Sequence, residues 1–345
     1  MRRLDALVQV AVPALLVVIT ALLGTLVSHA NETYFINALV NVTIVVALYM
    51  FIGNSGVISF GHISFVALGA WMAGVLTVPQ QAKPAIMPGL AHPLEVTTVG
   101  NVPSLAIAAA VGGVYALVVG LPLMRLSGLT AGIATFGVLE ITHNVLRYWE
   151  KIGPGLNAFS SVPETTEMLQ ATVGALIAVA IAFSYQRTRF GRLVRATRDD
   201  SAAARAVGAS VYRQRLIAFV ISGAVAGFAG GLYVHLLPIG SEDVYLDLTF
   251  ITLAMLVVGG TGSLFGAVVG ALAVSGVDSF LAVAENGVHV PGGTLDVPVG
   301  TRYVAVGALM ALVLVLRPSG LTGGREVSLP DWIRVPLMRS DKVRS

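Results

Sequence analysis

The sequence predicts an all-α fold: a polytopic transmembrane helical bundle of about ten spans, with nine as the alternative count and both termini cytoplasmic. Three observations predict it. The 345 residues are 56% apolar and only 11% charged, with a mean hydropathy of +0.84. A soluble domain carries about 25% charged residues, so this chain cannot cover a soluble surface of its size. Apolar runs of about 20 residues, the length a helix needs to cross a bilayer, recur along the chain. The basic residues then fall on alternate connections between those runs.

The first run, roughly 6–28, follows Arg2 and Arg3. Ser28-His29-Ala30 is loosely cleavage-like, but the apolar stretch is longer than the 7–15 residues usual in a signal peptide, so it reads as an uncleaved span. The next runs are 33–52, 57–78, 103–124 and 128–147, the last unusually polar. Then come 168–186, 214–237, a short 245–260, 263–284 and 299–316. Lipid-exposed backbone must satisfy its own hydrogen bonds, so continuous runs of this kind are helices. A transmembrane barrel would show alternating segments of about 10 residues, and none occurs.

Alternating these spans from a cytoplasmic N-terminus places 17 of the 21 basic residues inside. Lys83, Arg147, Lys151 and Arg302 remain outside. That asymmetry is the positive-inside pattern. The net charge of +3 therefore reflects topology and calls for no nucleic-acid partner.

Several chemistries are excluded. The absence of cysteine removes disulfides, thiolate zinc sites and iron–sulfur clusters, and six scattered histidines show no metal-ligand spacing. No metal or cofactor is expected in this chain. Gly260-Thr261-Gly262-Ser263-Leu264-Phe265-Gly266 is glycine-rich but lacks the lysine and the spacing of a phosphate cradle. No hydrolase motif occurs. Active transport by this chain would draw on an ion gradient or on another chain.

The largest polar feature on the inner side is the loop 187–215, with eight arginines. Asp199, Asp200 or Ser201 can cap a helix here. Ala202, Ala203, Ala206 and Val207 then form a small apolar stripe, and Gly208 is placed to stop the helix. Two turns are marginal alone, and a groove on a cytoplasmic partner would complete the burial. The alternative is a solvated basic loop touching anionic lipid.

These residues carry a resemblance. Phe190-Gly191-Arg192, Arg195-Ala196, Arg198-Asp199-Asp200, Ala202-Ala203-Ala204 and Gly208 resemble the coupling loop of ABC importer permeases, and more narrowly the branched-chain amino-acid permeases of the LivM type. The pattern continues through Ser222-Gly223, Ala226-Gly227, Gly259-Gly260-Thr261-Gly262-Ser263 and Leu316-Arg317-Pro318-Ser319-Gly320-Leu321. Earlier, Gly53-Asn54-Ser55-Gly56-Val57-Ile58-Ser59-Phe60-Gly61-His62 matches too, so the resemblance covers about 35–325.

It implies a multi-pass permease of the bacterial cytoplasmic (inner) membrane that forms half of a translocation pathway. The other half would be a second homologous permease. Two cytoplasmic ATPase subunits would bind ATP and engage Arg195, Arg198, Asp199, Ala202, Ala203, Ala204 and Gly208. An extracytoplasmic substrate-binding protein would dock outside. The implied substrate is a branched-chain amino acid, with urea or a short-chain amide as the alternative. The permease domain is read as 1–323 and a cytoplasmic tail as 324–345.

Two glycine segments interrupt the spans at their inner ends, Gly53-Asn54-Ser55-Gly56 and Gly259-Gly260-Thr261-Gly262-Ser263, each followed by a Phe-Gly pair. Broken helices line many transport pathways, so Gly53, Asn54, Ser55, Gly56, Ser59, His62 and Thr261 are candidate pathway residues. Tight turns and small-residue packing are the other reading.

Glu140, His143 and Asn144 share one helix face. A carboxylate in lipid is costly, so the face should point inward, either as a pathway element or as a structural contact. The same pair, Glu140 and His143, underlies a reading from a different class, a proton-coupled secondary transporter.

Overall fold

The computed structural model describes residues 2–285, 288–290, 293–295, 297–298 and 300–327. The helices are α1 (Arg2–Thr25), α2 (His29–Ser55), α3 (Ile63–Thr77), α4 (Lys83–Ile86), α5 (His92–Val96), α6 (Asn101–Leu123) and α7 (Gly128–Tyr148). There follow α8 (Met168–Arg187), α9 (Arg189–Asp199), α10 (Ser201–Ala206), α11 (Val211–Val234), α12 (Leu246–Gly259), α13 (Leu264–Glu285) and α14 (Thr301–Leu316). Each expected apolar run contains a helix. Seven of them, α1, α2, α6, α7, α8, α11 and α13, are long and apolar enough to cross a membrane.

The other three, α3, α12 and α14, have 15, 14 and 16 residues. At 1.5 Å per residue they reach about 21–24 Å, short of a hydrocarbon core of about 30 Å. Extended or turned backbone supplies part of the missing length. The expected span 57–78 is thus a correction: it begins as non-helical chain at 56–62, and α3 starts only at Ile63. Part of that chain lies against α7. Phe60 N–H donates to Thr135 Oγ1 at 3.1 Å, and a Cβ on Gly61 would overlap the Thr135 carbonyl. Protein partners are what make irregular backbone tolerable at membrane depth.

The helix α2 is the axis of the bundle, with nearly every residue from Ala38 to Ser55 buried. Around it, α3, α6 and α11 approach each other through glycines. A Cβ at Gly69 would strike the Gly227 carbonyl, one at Gly112 the Gly223 carbonyl, and one at Gly230 the Val66 carbonyl. Such close backbone approach is how apolar helices gain packing energy where lipid offers no hydrophobic drive.

Hydrogen bonds sort the helix ends onto two faces. On one, Arg187 reaches Gln9, Tyr212 reaches the Leu121 carbonyl, and Leu321 N–H donates to the Val258 carbonyl. This face carries α9 and α10 and the expected cytoplasmic arginines. On the other, Val99 N–H donates to Leu76, Ala91 N–H to Lys151, Phe159 N–H to Ile239 and Thr166 N–H to His235. There Lys83 is buried, its ammonium donating to the Leu94 and Thr97 carbonyls at 2.7 and 2.5 Å. Burial holds its pKa below the ordinary lysine value, opposed by Glu95.

Two details depart from the sequence reading. A two-stranded antiparallel hairpin, β1 (Val288–Val290) and β2 (Gly293–Leu295), joins α13 to α14 in the otherwise helical fold, with Val288 opposite Leu295. The boundary expected at 323/324 falls inside a packed turn, because the chain stays bound to the bundle through Glu326. The rest of the expected tail, 328–345, lies outside the described residues.

Candidate functional site

The face that carries the arginines of 187–215 holds a pair of short helices built by local capping. The Thr188 hydroxyl accepts from Gly191 N–H at 3.1 Å and starts α9. The Asp200 carboxylate accepts from Ala202 and Ala203 N–H at 2.8 and 3.0 Å and starts α10. These two amides hold the Asp200 carboxyl below the usual aspartate range. Gly208, at φ +83°, ends the helix: Gly208 N–H donates to Arg205 and Ala209 N–H to Ala204, both at 2.9 Å. This is the Schellman pattern. Ala204 turns inward, while Ala202, Ala203 and Ala206 are exposed and Val207 is 82% exposed. The apolar stripe expected from the sequence is an open surface of this chain.

Arg195 and Arg198, grouped with that stripe by their sequence position, point the other way. Arg195 Nε donates to Asn54 Oδ1 at 2.6 Å and Nη2 to the Tyr49 hydroxyl at 3.1 Å. Arg198 Nη1 donates to the Gly53 carbonyl. Asp199 is exposed beside them. Two sets of residues read separately from the sequence, the arginine loop and the first glycine segment, thus meet at the end of α2. The segment is corrected in its own geometry: Gly53, Asn54 and Ser55 are helical, and the break begins at Gly56, with φ +71°.

The Tyr49 hydroxyl joins α2 to three other parts of the chain. It accepts from Gln186 Nε2 of α8 at 2.9 Å and from Arg195, and it donates to Glu326 Oε1 at 3.4 Å. Glu326 in turn accepts from the Leu264 N–H at 2.9 Å and the Phe265 N–H at 3.5 Å, capping α13. The second glycine segment sits under the same strand of chain. Thr322 N–H and Oγ1 donate to the Gly259 carbonyl at 3.2 and 2.8 Å, and the Ser263 and Thr322 hydroxyls are 3.4 Å apart. The sequence reading missed Tyr49, Gln186 and Glu326. An isolated Glu after Gly323-Gly324-Arg325 gives no local sign of the helix it caps.

Between the 56–60 segment, α12 and α14 lies a cleft of about 810 Å³. Its walls are largely apolar: Ile52, Ile58, Phe60, Leu253, Leu256, Val306 and Met310 are among them. Asp247, at the start of α12, marks one end, and Gly56, Thr261 and Arg198 mark the end nearest α9. Of the ten expected pathway residues (the seven above with Glu140, His143 and Asn144), Gly56 and Thr261 line this space. Asn54 and Ser55 are buried at the end of α2. Ser59 and His62 are enclosed elsewhere: His62 Nδ1 pairs with Ser59 Oγ at 2.8 Å and Nε2 with Ser222 Oγ at 2.5 Å, inside a cage of Phe51, Phe65 and Phe219.

Glu140, His143 and Asn144 share a face toward the C-terminal end of α7, but the inward orientation expected for them is a correction: His143 alone of the three is buried, and Glu140 and Asn144 are exposed. Asn144 Nδ2 donates to Glu140 Oε1 at 2.7 Å, and the Tyr245 hydroxyl donates to Oε2. His143 stacks on Tyr245 at 3.8 Å, with Nδ1 3.2 Å from the Ser241 carbonyl and Nε2 3.6 Å from Glu242. Glu242 also takes a 2.5 Å bond from Arg147. The cluster pins the 241–245 loop to α7. Among the described residues no group of His, Asp and Glu could hold a metal ion.

Comparison with known proteins gives the same grouping. The family described as branched-chain amino acid transport system / permease component matches residues 30–314. The chain is 26% identical to the high-affinity branched-chain amino acid transport system permease protein LivM of Salmonella typhimurium, over 89% of this chain and 73% of that protein. It is 30% identical to a probable branched-chain amino acid transport permease protein LivM of Methanocaldococcus jannaschii, over 41% of this chain and 42% of that one. It is also 29% identical to the xylose transport system permease protein XylH of Haemophilus influenzae, over 46% and 40%. No solved structure matches. The match across most of the chain, on a helical bundle of this kind, makes the chain a member of the branched-chain amino acid transport permease family.

Proposed function

We propose that this chain is the membrane-spanning subunit of an ATP-driven importer in the bacterial cytoplasmic membrane, and that its solute is a branched-chain amino acid. The observation that carries the first part is the exposed stripe of α10, held at a fixed place on the basic face by caps at both ends. Ala202, Ala203, Ala206 and Val207 offer a partner groove an apolar surface with little side-chain entropy to lose. The partners fitting this reading are two ATPase subunits inside, a second related permease and a substrate-binding protein outside. ATP is handled by the ATPase subunits, and α9 and α10 transmit its effect to α2.

The pathway role belongs to Gly56 and Thr261 at the cleft surface, with Gly53, Asn54 and Ser55 supporting them from behind. The lining favours a solute with an apolar side chain over a sugar. Each sugar hydroxyl buried without a partner costs about 1–3 kcal/mol, and the cleft walls offer few partners. Glu140, His143 and Asn144 form an outer structural cluster in this reading, since both oxygens of Glu140 are already engaged.

The test is association. Ala203→Glu or Gly208→Arg, expressed with the other subunits of the transporter, should insert normally yet fail to retain ATPase subunits on purification. Normal retention and normal uptake of leucine by both variants would refute the coupling assignment.

A further inference from the structure

Arg198 belongs at once to the helix that faces the cytoplasmic partner and to the wall of the cleft. It is the one described residue of α9 or α10 that lines that space. Its stem packs where Gly56 lacks a side chain, since a Cβ there would lie 2.9 Å from Arg198 Cγ. Its guanidinium is tied to the last turn of α2 through the Gly53 carbonyl. The left-handed φ of +71° at Gly56 bends the backbone away and opens the notch that the arginine fills.

We propose that Arg198 is the inner gate of the cleft, a plug carried by α9 and withdrawn when α9 moves. This inference rests on the reading of the chain as an importer subunit. A single side chain then links displacement of the cytoplasmic helices to opening of the inner mouth, with no chain of intermediaries. The notch at Gly56 is the seat, and the Gly53 carbonyl is the catch. A solute leaving the cleft passes a cation at this point and an anion, Asp247, at the opposite end. That polarity suits a zwitterion whose carboxylate leads on the way in.

The absence of cysteine makes the test clean. Val257 lines the inner half of the cleft, so Val257→Cys reports on access from inside. In inside-out vesicles holding the complete transporter without ATP, a charged, membrane-impermeant maleimide should modify this cysteine slowly. Adding Arg198→Ala should raise the rate roughly tenfold, the scale of losing one charge-assisted hydrogen bond. Gly56→Ala, which fills the seat and displaces the arginine from the other side, should raise it as well. The parent rate in either assembled variant overturns the gate. Retention of ATPase subunits, measured on the same samples, tests the underlying reading separately: the gate fails alone if labelling is unchanged while the ATPases remain bound.

Discussion

Arg195 Nε donates to Asn54 Oδ1 at 2.6 Å, joining the arginine-rich helix α9 to the last turn of the most buried helix of the bundle. The same guanidinium reaches Tyr49 one turn earlier. An arginine fork bound at two points resists sliding, so Arg195 anchors α9 to the end of α2 as the pivot about which Arg198, one turn further along α9, would leave its seat. Arg195→Lys keeps the charge but loses the fork. Uptake in the complete transporter should fall severalfold or more while ATPase subunits stay bound. Unimpaired uptake would show that the pair is only packing.

Tyr49→Phe removes one hydroxyl from a fully buried hub and leaves Arg195, Gln186 and Glu326 each short of a partner. The expected loss of stability is about 1–3 kcal/mol, read as a lower midpoint of thermal unfolding in detergent. An unchanged midpoint would mean that water replaces the hydroxyl.

Glu326 should matter although it follows the last helix. Glu326→Ala frees the Leu264 and Phe265 amides and should cost about 1–3 kcal/mol. Equal stability of Glu326→Ala and the parent chain would remove Glu326 from the fold.

Asp200 gives a prediction in pH. Its carboxyl is held below the ordinary aspartate value by the Ala203 and Ala202 amides, so its contribution to α10 is present above the unfolded pKa of about 4 and is lost as pH falls through the lower folded value. ATPase retention should therefore be flat between about pH 6 and 8 as far as this group is concerned. Asp200→Asn, an equally good cap, should retain the ATPases, and Asp200→Ala should weaken retention. A parent-like result for Asp200→Ala would show that docking does not need a preformed α10.

Glycine positions separate close packing from open space. A Cβ at Gly230 would overlap the Val66 carbonyl, so Gly230→Ala should lower stability by about 1–3 kcal/mol. Gly276, inside α13 with nothing within 4 Å of its missing Cβ, should accept alanine with no loss or a gain of about 0.5–1 kcal/mol. The reverse order in a thermal melt would contradict the packing described.

Much of this arrangement was legible in the residues. The apolar runs mark every long helix because lipid demands continuous burial of backbone polar groups. The boundaries of α10 follow from Asp200 and Gly208, whose chemistry is local. What stayed hidden depends on distant partners. Arg195 and Arg198 look like loop charges until α2 supplies Asn54 and the Gly53 carbonyl. The helix α9 is masked by its arginines, since its inward residues Gly191, Val194 and Thr197 form too weak a stripe. His62, polar and beside a helix break, suggests a pathway, but two serines and three phenylalanines enclose it.

The most direct test of the coupling account uses Val207, the most exposed large apolar residue beside α10. Val207→Cys, carrying a thiol-linked photocrosslinker in the complete transporter, should join this chain to an ATPase subunit in high yield, with a yield that changes on ATP binding. Labelling of that cysteine from the outer face, or leucine uptake with no ATPase crosslink at all, would contradict it.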